Sequence, residues 1–381
     1  MILSLAIISF GIWIYLYAAH GGFWKIRRFM APVAHSQRRE LSIVAVVPAR
    51  DEADVIGASI TSLLRQQGIN MPIVLVDDSS KDGTAAVAHR AAEELGQRSR
   101  LIVIQGLPLP SGWSGKLWAV QQGIEKAQSL RPDFLLLSDA DIVQSPDNVQ
   151  NLVAMAQTGN YDMVSLMVKL HCKSFAERAL IPAFVFFFFM LYPPPWIADP
   201  SRKTAGAAGG CILIRPQALE DAGGIAAIRH EIIDDCALAH QVKRSGGKIW
   251  LGLTEETYSI RPYGSFAAIG RMISRAAFSQ LQHSAALLLA AIAGLAVTYL
   301  APPALLLSHQ IVPAVLGAAA WLLMSYCFLP MVRFYHLNPL LSLALPVIAL
   351  FYMGATLHSA LKFWSGKGGE WKGRVQDPAR P

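Results

Sequence analysis

Charged residues are scarce in this chain, and one long stretch has almost none. Of its 381 residues, 15% are charged and 53% are hydrophobic, which is too apolar for an ordinary soluble enzyme. Asp and Glu are absent from Gln280 to Gly369, and Arg333 is the only Lys or Arg between Arg275 and Lys362. Such a stretch cannot form the surface of a soluble domain. The sequence therefore predicts segments that lie within a membrane.

Cysteines are few, and the basic residues form no stripe. The four cysteines lack the spacing of a metal site or of a disulfide framework; they are Cys172, Cys211, Cys236 and Cys327. A net charge of +7 can suggest a nucleic-acid partner, but the basic residues are not interleaved with aromatic ones. They cluster beside the apolar segments, where attraction to anionic lipid explains them more simply. We therefore expect a membrane partner and no nucleic acid.

The first apolar segment, Met1–Ala19, has no Lys or Arg before it. A cleaved signal peptide would carry basic residues there, so we expect an uncleaved transmembrane anchor over residues 1–20. Several basic residues follow the segment, namely Lys25, Arg27, Arg28, Arg38 and Arg39. Basic residues next to an apolar segment indicate the cytoplasmic side. This predicts an inner-membrane protein whose following domain is cytoplasmic.

A second membrane region is predicted over residues 284–361, before a basic tail at 362–381. Its apolar segments are each long enough for a hydrocarbon core of about 30 Å, and they are Ser284–Leu307, Ile311–Met331 and Leu340–Leu361. Four spans in all would put the basic tail outside, against the positive-inside rule. A re-entrant segment around Pro302 and Pro303 would return the tail to the cytoplasm. Both topologies stay open.

An apolar segment over residues 179–196 interrupts the middle of the chain. Phe184–Tyr192 is almost entirely aromatic and aliphatic, and three prolines, Pro193–Pro195, follow it. The segment is too short to span comfortably, so we expect a helix that lies in the plane of the membrane surface. A helix buried in the protein core is the alternative.

Residues 41–280 alternate predicted strands and helices. The predicted strands are Ile43–Val47, Ile73–Val76, Leu101–Ile104 and Phe134–Ser138, and the predicted helices are Ala53–Gln67, Gly83–Leu95, Lys116–Gln128 and Asn148–Gln157. Such alternation predicts an α/β fold with a mostly parallel sheet and right-handed crossovers.

Acidic residues gather where these apolar strands end. Asp77 and Asp78 close the second strand, and Asp139 and Asp141 follow the fourth. Ligands of open α/β sheets bind beyond the carboxyl ends of the strands, and acids gathered there repel one another unless a cation joins them. Asp139 and Asp141 can both reach a hard divalent cation that keeps a diphosphate among its ligands. The sequence therefore predicts a Mg²⁺ or Mn²⁺ site and a phosphorylated ligand.

Further acids each have a structural alternative. Asp51 and Glu52 follow the first strand and can bind a base or ribose, or can cap the next helix. Asp234 and Asp235 open a later helix, whose dipole keeps a carboxylate ionised for general-base work, although simple capping is the alternative.

Glycine-rich turns and arginines add candidate ligand contacts. The turn from Gly112 to Lys116 offers flexible backbone and one cation at a helix N-terminus, which suits an anionic ligand. Gly209 and Gly210 permit close approach of the backbone to a ligand. Two arginines one turn apart, Arg271 and Arg275, can neutralise a leaving diphosphate or mark the cytoplasmic membrane boundary.

Taken in order, these motifs resemble those of family-2 glycosyltransferases over residues 42–280. The resemblance rests on Ala49–Ala53, Asp77–Thr84, Asp139–Asp141 and Asp234–Asp235. It implies a GT-A fold and nucleotide-sugar binding by the predicted contacts, which are Asp51, Glu52, Asp78, Lys116, Asp139, Gly209, Gly210 and Arg275. It also implies metal binding by Asp139 and Asp141, and it makes Asp235 the catalytic base beside Asp234. The Gln-x-x-Arg-Trp motif associated with processive polymer synthesis is not matched, since the chain reads Arg271–Ala276 there.

A narrower resemblance is to the hopene-associated bacterial glycosyltransferases, which are similar to ceramide glucosyltransferases in their anchor and C-terminal spans. It is carried by Ser111–Ala119 and by Trp371–Arg374. It implies transfer of a sugar from a nucleotide-sugar, a UDP-sugar, to a membrane lipid such as a hopanoid. The alternative is a membrane transport or scaffold component that binds nucleotide without catalysis. The predicted spans have few ionisable residues, which argues against a transport path.

Overall fold

The computed structural model describes residues 1–26, 29, 41–366, 370–371 and 374–375. Arg27, Arg28, Arg38, Arg39 and most of the predicted basic tail lie outside the described residues. The chain divides into two compact units. We call Met1–Ile26, Cys172–Pro195 and Pro262–Gly369 the helical unit, and Arg27–His171, Trp196–Arg261 and Glu370–Pro381 the sheet unit.

The strands and helices are named in chain order. The strands are β1 (Ile43–Ala49), β2 (Ile73–Asp77), β3 (Leu101–Gln105), β4 (Phe134–Ser138), β5 (Ile142–Val143), β6 (Met163–Lys169), β7 (Cys211–Ile214), β8 (Ile249–Ser259), β9 (Glu370–Trp371) and β10 (Arg374–Val375). The helices are α1 (Ile2–Ala18), α2 (Ala53–Leu64), α3 (Thr84–Glu94), α4 (Gly115–Gln128), α5 (Asn148–Thr158), α6 (Phe175–Leu191), α7 (Pro194–Ala198), α8 (Pro216–Asp221), α9 (Asp234–Arg244), α10 (Phe266–Gln280), α11 (Ala285–Leu295), α12 (Ala301–Leu305), α13 (Ile311–Phe334) and α14 (Leu345–Trp364).

One sheet organises the sheet unit, in the order β3-β2-β1-β4-β7-β6-β8-β5. Neighbours from β3 to β4 pair in parallel, as do β6 and β8, whereas β7 pairs antiparallel with both β4 and β6. The predicted α/β alternation and the mostly parallel sheet are confirmed. Gly209 and Gly210 directly precede the antiparallel strand β7, whose register sets Cys211 opposite Ser138 at the end of β4. This pairing brings the glycines beside the acids that follow β4.

The central strands are apolar except for the last residue of β2, Asp77, and of β4, Ser138, which explains why they are buried on both faces. All residues of β1, β2 and β4 are buried, as expected for parallel strands covered by helices. Helix α4 packs so closely on the sheet that a Cβ on Gly123 would lie 2.4 Å from Cγ1 of Val46. Glycine is therefore required there, because any side chain would push α4 away from β1.

The helical unit is built from apolar helices. In the described residues, four are long and apolar enough to cross a membrane: Phe175–Ala198, Ala285–Leu305, Ile311–Phe334 and Pro339–Trp364. Helix α1 is shorter, with 17 residues or about 26 Å. It packs within its unit, because the Trp13 indole donates a hydrogen bond to the carbonyl of Thr298 at 2.7 Å. The anchor role of α1 stays a prediction.

The apolar segment predicted over 179–196 is longer in the structure than its sequence limits suggested. Helix α6 begins at Phe175, where Ser174 and Glu177 form a capping box. It ends at Leu191, and α7 follows after two residues, so the apolar helical segment extends to Ala198. The in-plane helix was expected because the segment over 179–196 is too short to span a membrane. That reason does not hold, since the stretch Phe175–Ala198 has 24 residues and is long enough to cross. The in-plane placement itself stays a prediction.

Candidate functional site

The cluster at the carboxyl ends of the strands is held together by one lysine. The Lys116 ammonium, in the first turn of α4, lies 3.1 Å from Oδ1 of Asp139 and 3.0 Å from Oδ2 of Asp234. Asp139 directly follows β4, and Asp234 opens α9. The Ser114 hydroxyl caps α4 by accepting from the amide of Leu117, and so fixes the turn that carries Lys116. Three predicted site residues therefore meet as one ion-paired group.

Asp235 lies beside this group and is oriented by backbone amides. Its Oδ2 accepts a hydrogen bond from the Gly209 amide at 2.8 Å, and its Oδ1 accepts one from the Cys236 amide at 2.8 Å. A Cβ on Gly209 would stand 3.4 Å from that Oδ2 and 3.6 Å from Nζ of Lys116. Gly210 contributes through its carbonyl, which accepts from the Asp139 amide at 3.4 Å. The paired glycines thus permit close approach of backbone to the acids.

The electrostatics of the cluster follow from burial and an excess of acids. Burial raises the pKa of Asp235 to about 6, the charge of Asp234 adds to the rise, and Lys116 opposes it. Burial also raises the pKa of Asp139, against the opposing charge of Lys116. Burial alone would lower the pKa of Lys116, but the charges of Asp139 and Asp234 outweigh burial and raise it above its ordinary value. The lysine therefore stays charged, whereas Asp235 takes up a proton near pH 6.

These residues line a cleft with a charged side and an aliphatic side. The cleft holds about 390 Å³ of space, counted together with the part that is open to solvent. The lining residues are Pro48, Lys116, Leu117, Val120, Leu137, Ser138, Asp139, Gly209, Ile212, Ile225, Ile228, Asp234, Asp235 and Leu238. The lining therefore combines the charged cluster with leucine, isoleucine and valine side chains.

Asp141 has a different partner from Asp139. Its Oδ2 accepts a hydrogen bond from the Ser259 hydroxyl at 2.8 Å and one from Nε of Arg261 at 3.2 Å. Arg261 also donates through Nη2 to Glu52. The Glu52 side chain does not cap α2, because it makes no side-chain capping hydrogen bond. The amide of Ala53 donates instead to Oδ2 of Asp82. Arg261 thus joins the turn after β1 to the acidic turn after β4.

Arg261 and Ser259 were missed in the sequence. Both lie at the end of β8, just before Pro262, which is the strand-end position that singled out the acids. A charged residue at that position was the signal that could have found Arg261.

A network of buried amide side chains supports the acidic turn that follows β4. This network was not predicted from the sequence either. Gln144 donates to the Ser138 hydroxyl at 3.1 Å, and Asn148 donates to Oε1 of Gln144 at 2.5 Å. All three side chains are buried. Because the groups are bonded to one another, they fix the turn without leaving unsatisfied polar atoms. Isolated Gln and Asn residues give no sequence signal for such a network.

The turns that carry Asp51 and Asp78 interlock beyond β1 and β2. The Asp51 carboxylate accepts from the amide of Lys81 at 2.8 Å, and Asp51 has a positive φ of 51°. Asp78 is buried, and Nη1 of Arg50 donates to its carbonyl at 2.6 Å and contacts its Oδ2 at 3.4 Å. Nε of Arg50 is buried without a hydrogen-bond partner in the described part of the chain. The two strand ends therefore present acids of fixed orientation.

Arg271 and Arg275 belong to the helical unit, where both are exposed on α10. Contact of Arg275 with the donor stays a prediction. In the described residues no group of three or more His, Cys, Asp or Glu side chains is arranged to hold a metal ion. Asp139 and Asp141 are the two carboxylates that the acidic turn offers. Their assignment as metal ligands also stays a prediction.

Comparison with known proteins gives a family match over part of the chain. Residues 44–223 match the family described as Glycosyl transferase family 2. The chain is 31% identical over 148 residues to the succinoglycan biosynthesis protein ExoO of Rhizobium meliloti (strain 1021), covering 37% of this chain and 39% of that protein. It is 30% identical over 151 residues to an undecaprenyl-phosphate 4-deoxy-4-formamido-L-arabinose transferase of Shewanella sediminis (strain HAW-EB3), covering 38% and 41%. The match thus spans about two-fifths of each curated relative.

A solved structure shares the fold. It is the mannosyltransferase PcManGT from Pyrobaculum calidifontis, in complex with GDP-Man and Mn²⁺, with a TM-score of 0.58 and 17% identity over 95% of this chain and 99% of that one. The predicted GT-A fold is thereby confirmed. Residues 44–223 thus match the glycosyl transferase family 2 model, and the chain has a GT-A-like α/β fold.

Proposed function

We propose that this protein is an inverting glycosyltransferase that moves a sugar from a UDP-sugar to the hydroxyl of a membrane lipid, such as a hopanoid. One observation carries the proposal. Asp235, with a pKa raised to about 6, lies in a cleft that is lined by the ion-paired acidic cluster and by aliphatic side chains. A carboxylate with such a pKa is suited to accept a proton near neutral pH.

Asp235 acts as the general base in this proposal. The acceptor oxygen forms a bond to the anomeric carbon of the sugar, while the bond from that carbon to the diphosphate oxygen breaks. The proton of the hydroxyl passes to Asp235, and UDP leaves on the opposite face, so the anomeric configuration inverts. The amides of Gly209 and Cys236 hold the carboxylate in place. The ion pair between Asp234 and Lys116 keeps the lysine beside the Asp235 carboxylate.

The acidic turn fits a divalent cation. Mg²⁺ and Mn²⁺ prefer oxygen ligands, and one or two carboxylates with substrate phosphates suffice to hold them. Asp139 and Asp141 supply two carboxylates, and both bonds of Asp141 fall on Oδ2, so Oδ1 has no partner among the described residues. The bound cation would neutralise charge on the leaving diphosphate.

The donor is proposed to lie across the interlocked turns. Asp51, Glu52 and Asp78 would contact the nucleoside, while the backbone of Gly209 and Gly210 would lie beside the sugar and diphosphate. Arg275 would neutralise the leaving group. UDP is proposed from the resemblance of the motifs, whereas the mannosyltransferase of similar fold contains GDP-Man. A GDP-sugar is therefore the donor to test beside the UDP-sugars.

The acceptor is proposed to be a neutral alcohol instead of a lipid phosphate. A phosphate beside Asp139, Asp234 and Asp235 would be repelled by three acids, and Lys116 is already paired with two of them. A phosphate oxygen is also ionised near neutral pH and has no proton for a base to remove. The curated relative from Shewanella is an undecaprenyl-phosphate transferase, so a lipid phosphate is the acceptor to compare.

The test is transfer of label by the purified full-length protein in detergent. Radiolabelled UDP-sugars and a GDP-sugar are incubated with a membrane lipid extract and Mg²⁺ or Mn²⁺. We expect label in the organic phase from one UDP-sugar, dependence on the cation, and loss of label in EDTA. Mass spectrometry then names the acceptor, and NMR of the product gives its anomeric configuration.

Several results would contradict the proposal. Label that appears only in water-soluble polymer would overturn the lipid acceptor, and a product that retains the donor configuration would overturn the inverting mechanism. If no donor is consumed with lipid and metal present, the protein binds nucleotide without catalysis.

A further inference from the structure

The backbone segment that brings Gly209 to Asp235 is buried, although it forms neither helix nor strand. It consists of residues 204–209, between α7 and β7, and we call it the strap. Residues 205–208 are buried, and in the described chain their backbone makes no hydrogen bond to another backbone group. Buried amides and carbonyls need other partners in that case. Side chains of the neighbouring elements supply several of them.

Ser165 supplies two of these partners, both on the residue before Gly209. It lies on β6, and its side chain is buried. Its hydroxyl accepts a hydrogen bond from the amide of Ala208 at 2.8 Å and donates one to the carbonyl of Ala208 at 3.0 Å. One side chain on a paired strand therefore binds both backbone groups of Ala208.

A single peptide group connects Ser165 to Asp235. The carbonyl of Ala208 and the amide of Gly209 belong to the same planar unit and point in opposite directions. Ser165 donates to the carbonyl end, and the amide end donates to Oδ2 of Asp235 at 2.8 Å. A hydrogen bond at the carbonyl polarises the peptide and strengthens the bond that its amide donates. The direction and the strength of this amide donor therefore depend on Ser165.

The rest of the strap is bound by α9, the helix that carries Asp235. The Lys243 ammonium donates to the carbonyl of Thr204 at 2.8 Å, and the Cys236 thiol donates to the carbonyl of Ala207 at 3.6 Å. The strap is thus held by α9 along its length and by β6 at the residue before Gly209.

We propose that Ser165 is a positioning residue for the general base: through the peptide between Ala208 and Gly209, its hydroxyl directs the amide that holds Asp235. The inference rests on the proposed function, in which Asp235 accepts the proton of the acceptor. It adds to that function a residue that does not line the cleft.

The charged groups that face Asp235 are unchanged when Ser165 is substituted. They are Asp234 from α9 and Lys116 from α4, which also pairs with Asp139 after β4. Burial raises the pKa of Asp235 to about 6, and the hydrogen bond from the Gly209 amide opposes this rise. When that bond weakens, the pKa of Asp235 rises further. Activity that needs the ionised carboxylate is then lost at a higher pH.

The experiment measures the pH dependence of lipid transfer by Ser165→Ala. The full-length protein in detergent is assayed with the radiolabelled UDP-sugar and the membrane lipid extract from pH 5 to 9. We expect the midpoint of the acid limb to rise by about one pH unit, because a hydrogen bond to a charged group is weakened. A variant that is only less stable would lose rate without moving this midpoint. Ser165→Thr keeps the hydroxyl and should keep the midpoint of the unsubstituted protein.

The matched control is Thr254→Val on β8. Thr254 is also buried, and its hydroxyl accepts from the amide of Glu256 at 3.2 Å. The substitution therefore removes a buried hydroxyl from a strand without removing a bond of the strap, and the midpoint should not move. Hydrogen–deuterium exchange gives a readout that does not need catalysis. Residues 204–210 should exchange faster in Ser165→Ala than in Thr254→Val.

The outcomes separate this inference from the proposed function. If the unsubstituted protein labels no lipid, the proposed function fails and the role of Ser165 falls with it. If the protein shows the acid limb and Asp235→Asn removes it, the proposed function stands, and an unchanged midpoint in Ser165→Ala overturns the inference alone. An equal shift in Thr254→Val, or unchanged exchange of the strap in Ser165→Ala, would overturn it as well. Should Ser165→Ala fail to fold, Ser165→Cys, whose thiol is a weaker donor, should move the midpoint in the same direction.

Discussion

At the scale of single residues, the position of Asp235 in the cluster decides its chemistry. Asp234 and Asp235 are neighbours in sequence, yet Asp234 pairs with Lys116 while Asp235 is held by two backbone amides. A carboxylate already paired with a lysine is a weaker proton acceptor than one without such a partner. Burial and the charge of Asp234 raise the pKa of Asp235. The two acids therefore divide the work, one holding the lysine and one taking the proton.

The first residue prediction is a pH profile. A general base works only in its ionised form, so its activity is present above its pKa and is lost as the pH falls through that value. With the pKa of Asp235 at about 6, we expect kcat/KM for lipid transfer to fall about tenfold per pH unit below that pH. Asp235→Asn should lower kcat by about 10² to 10⁴ and remove this limb of the profile. Initial rates from pH 5 to 8 provide the measurement.

The control for Asp235 is an exposed acid of the same unit. Asp221→Asn, at the end of α8, should leave both the rate and the pH profile unchanged. A full rate in Asp235→Asn, or an acid limb that survives in it, would assign the base to another group.

At the scale of elements, Arg261 connects turns that come from three strands. It bonds Glu52 after β1 and Asp141 after β4, and it lies just beyond β8. Side chains that hold a metal ligand from behind usually affect metal affinity tenfold to a hundredfold. We therefore expect Arg261→Met to weaken Mn²⁺ binding in the presence of UDP by about that factor, measured by calorimetry or by the EPR signal of free Mn²⁺.

The variant Arg261→Lys distinguishes the effect of the positive charge from that of the guanidinium geometry. Lysine keeps the charge but cannot bond both acids in the planar manner of a guanidinium, so it should recover Mn²⁺ affinity only in part. Arg215→Met, which removes a partner of Asp162 elsewhere in the sheet unit, is the control and should not change it. Equal Mn²⁺ affinity in Arg261→Met and the unsubstituted protein would show that Asp141 does not need this partner.

Elements were predictable from sequence where local pattern decides them. Strand β4 has the predicted limits, Phe134–Ser138, because a short apolar run between turn residues has few other ways to be buried. The antiparallel insertion of strand β7 between β4 and β6 was not predicted. Strand pairing depends on contacts between distant parts of the chain. The spacing of hydrophobic residues along the sequence gives no information about such contacts.

The same limit applies to the candidate site. The acids of the cluster were predictable because each one follows an apolar strand or opens a helix. Their partners were not, since the pairing of Arg261 with Asp141 joins residues 120 positions apart. The two ion pairs of Lys116 likewise depend on the fold, although the lysine itself was predicted as a ligand contact.

At the scale of the whole molecule, the distribution of apolar helices sets the expected topology. All candidate spans in the described residues lie wholly or mainly in the helical unit. Strand β6 precedes Phe175–Ala198 and strand β7 follows it, and the two strands pair in one sheet. We therefore expect the sheet unit to stay on one side of the membrane and this helix not to cross it. Lys25, and the basic residues that follow it in the sequence, come directly after α1. From the positive-inside rule we expect this side to be the cytoplasm.

Labelling of single cysteines with a membrane-impermeant maleimide tests this topology. Three native cysteines are buried and Cys172 is partly exposed, so Cys172→Ser provides the background. Ser99→Cys, at an exposed position of the sheet unit, should react in inverted membrane vesicles and not in spheroplasts. His309→Cys lies in the loop between α12 and α13. It should react only in spheroplasts, because the 21-residue helix Ala285–Leu305 is long enough to cross. Reaction of both cysteines from one side would instead make that helix re-entrant at its prolines.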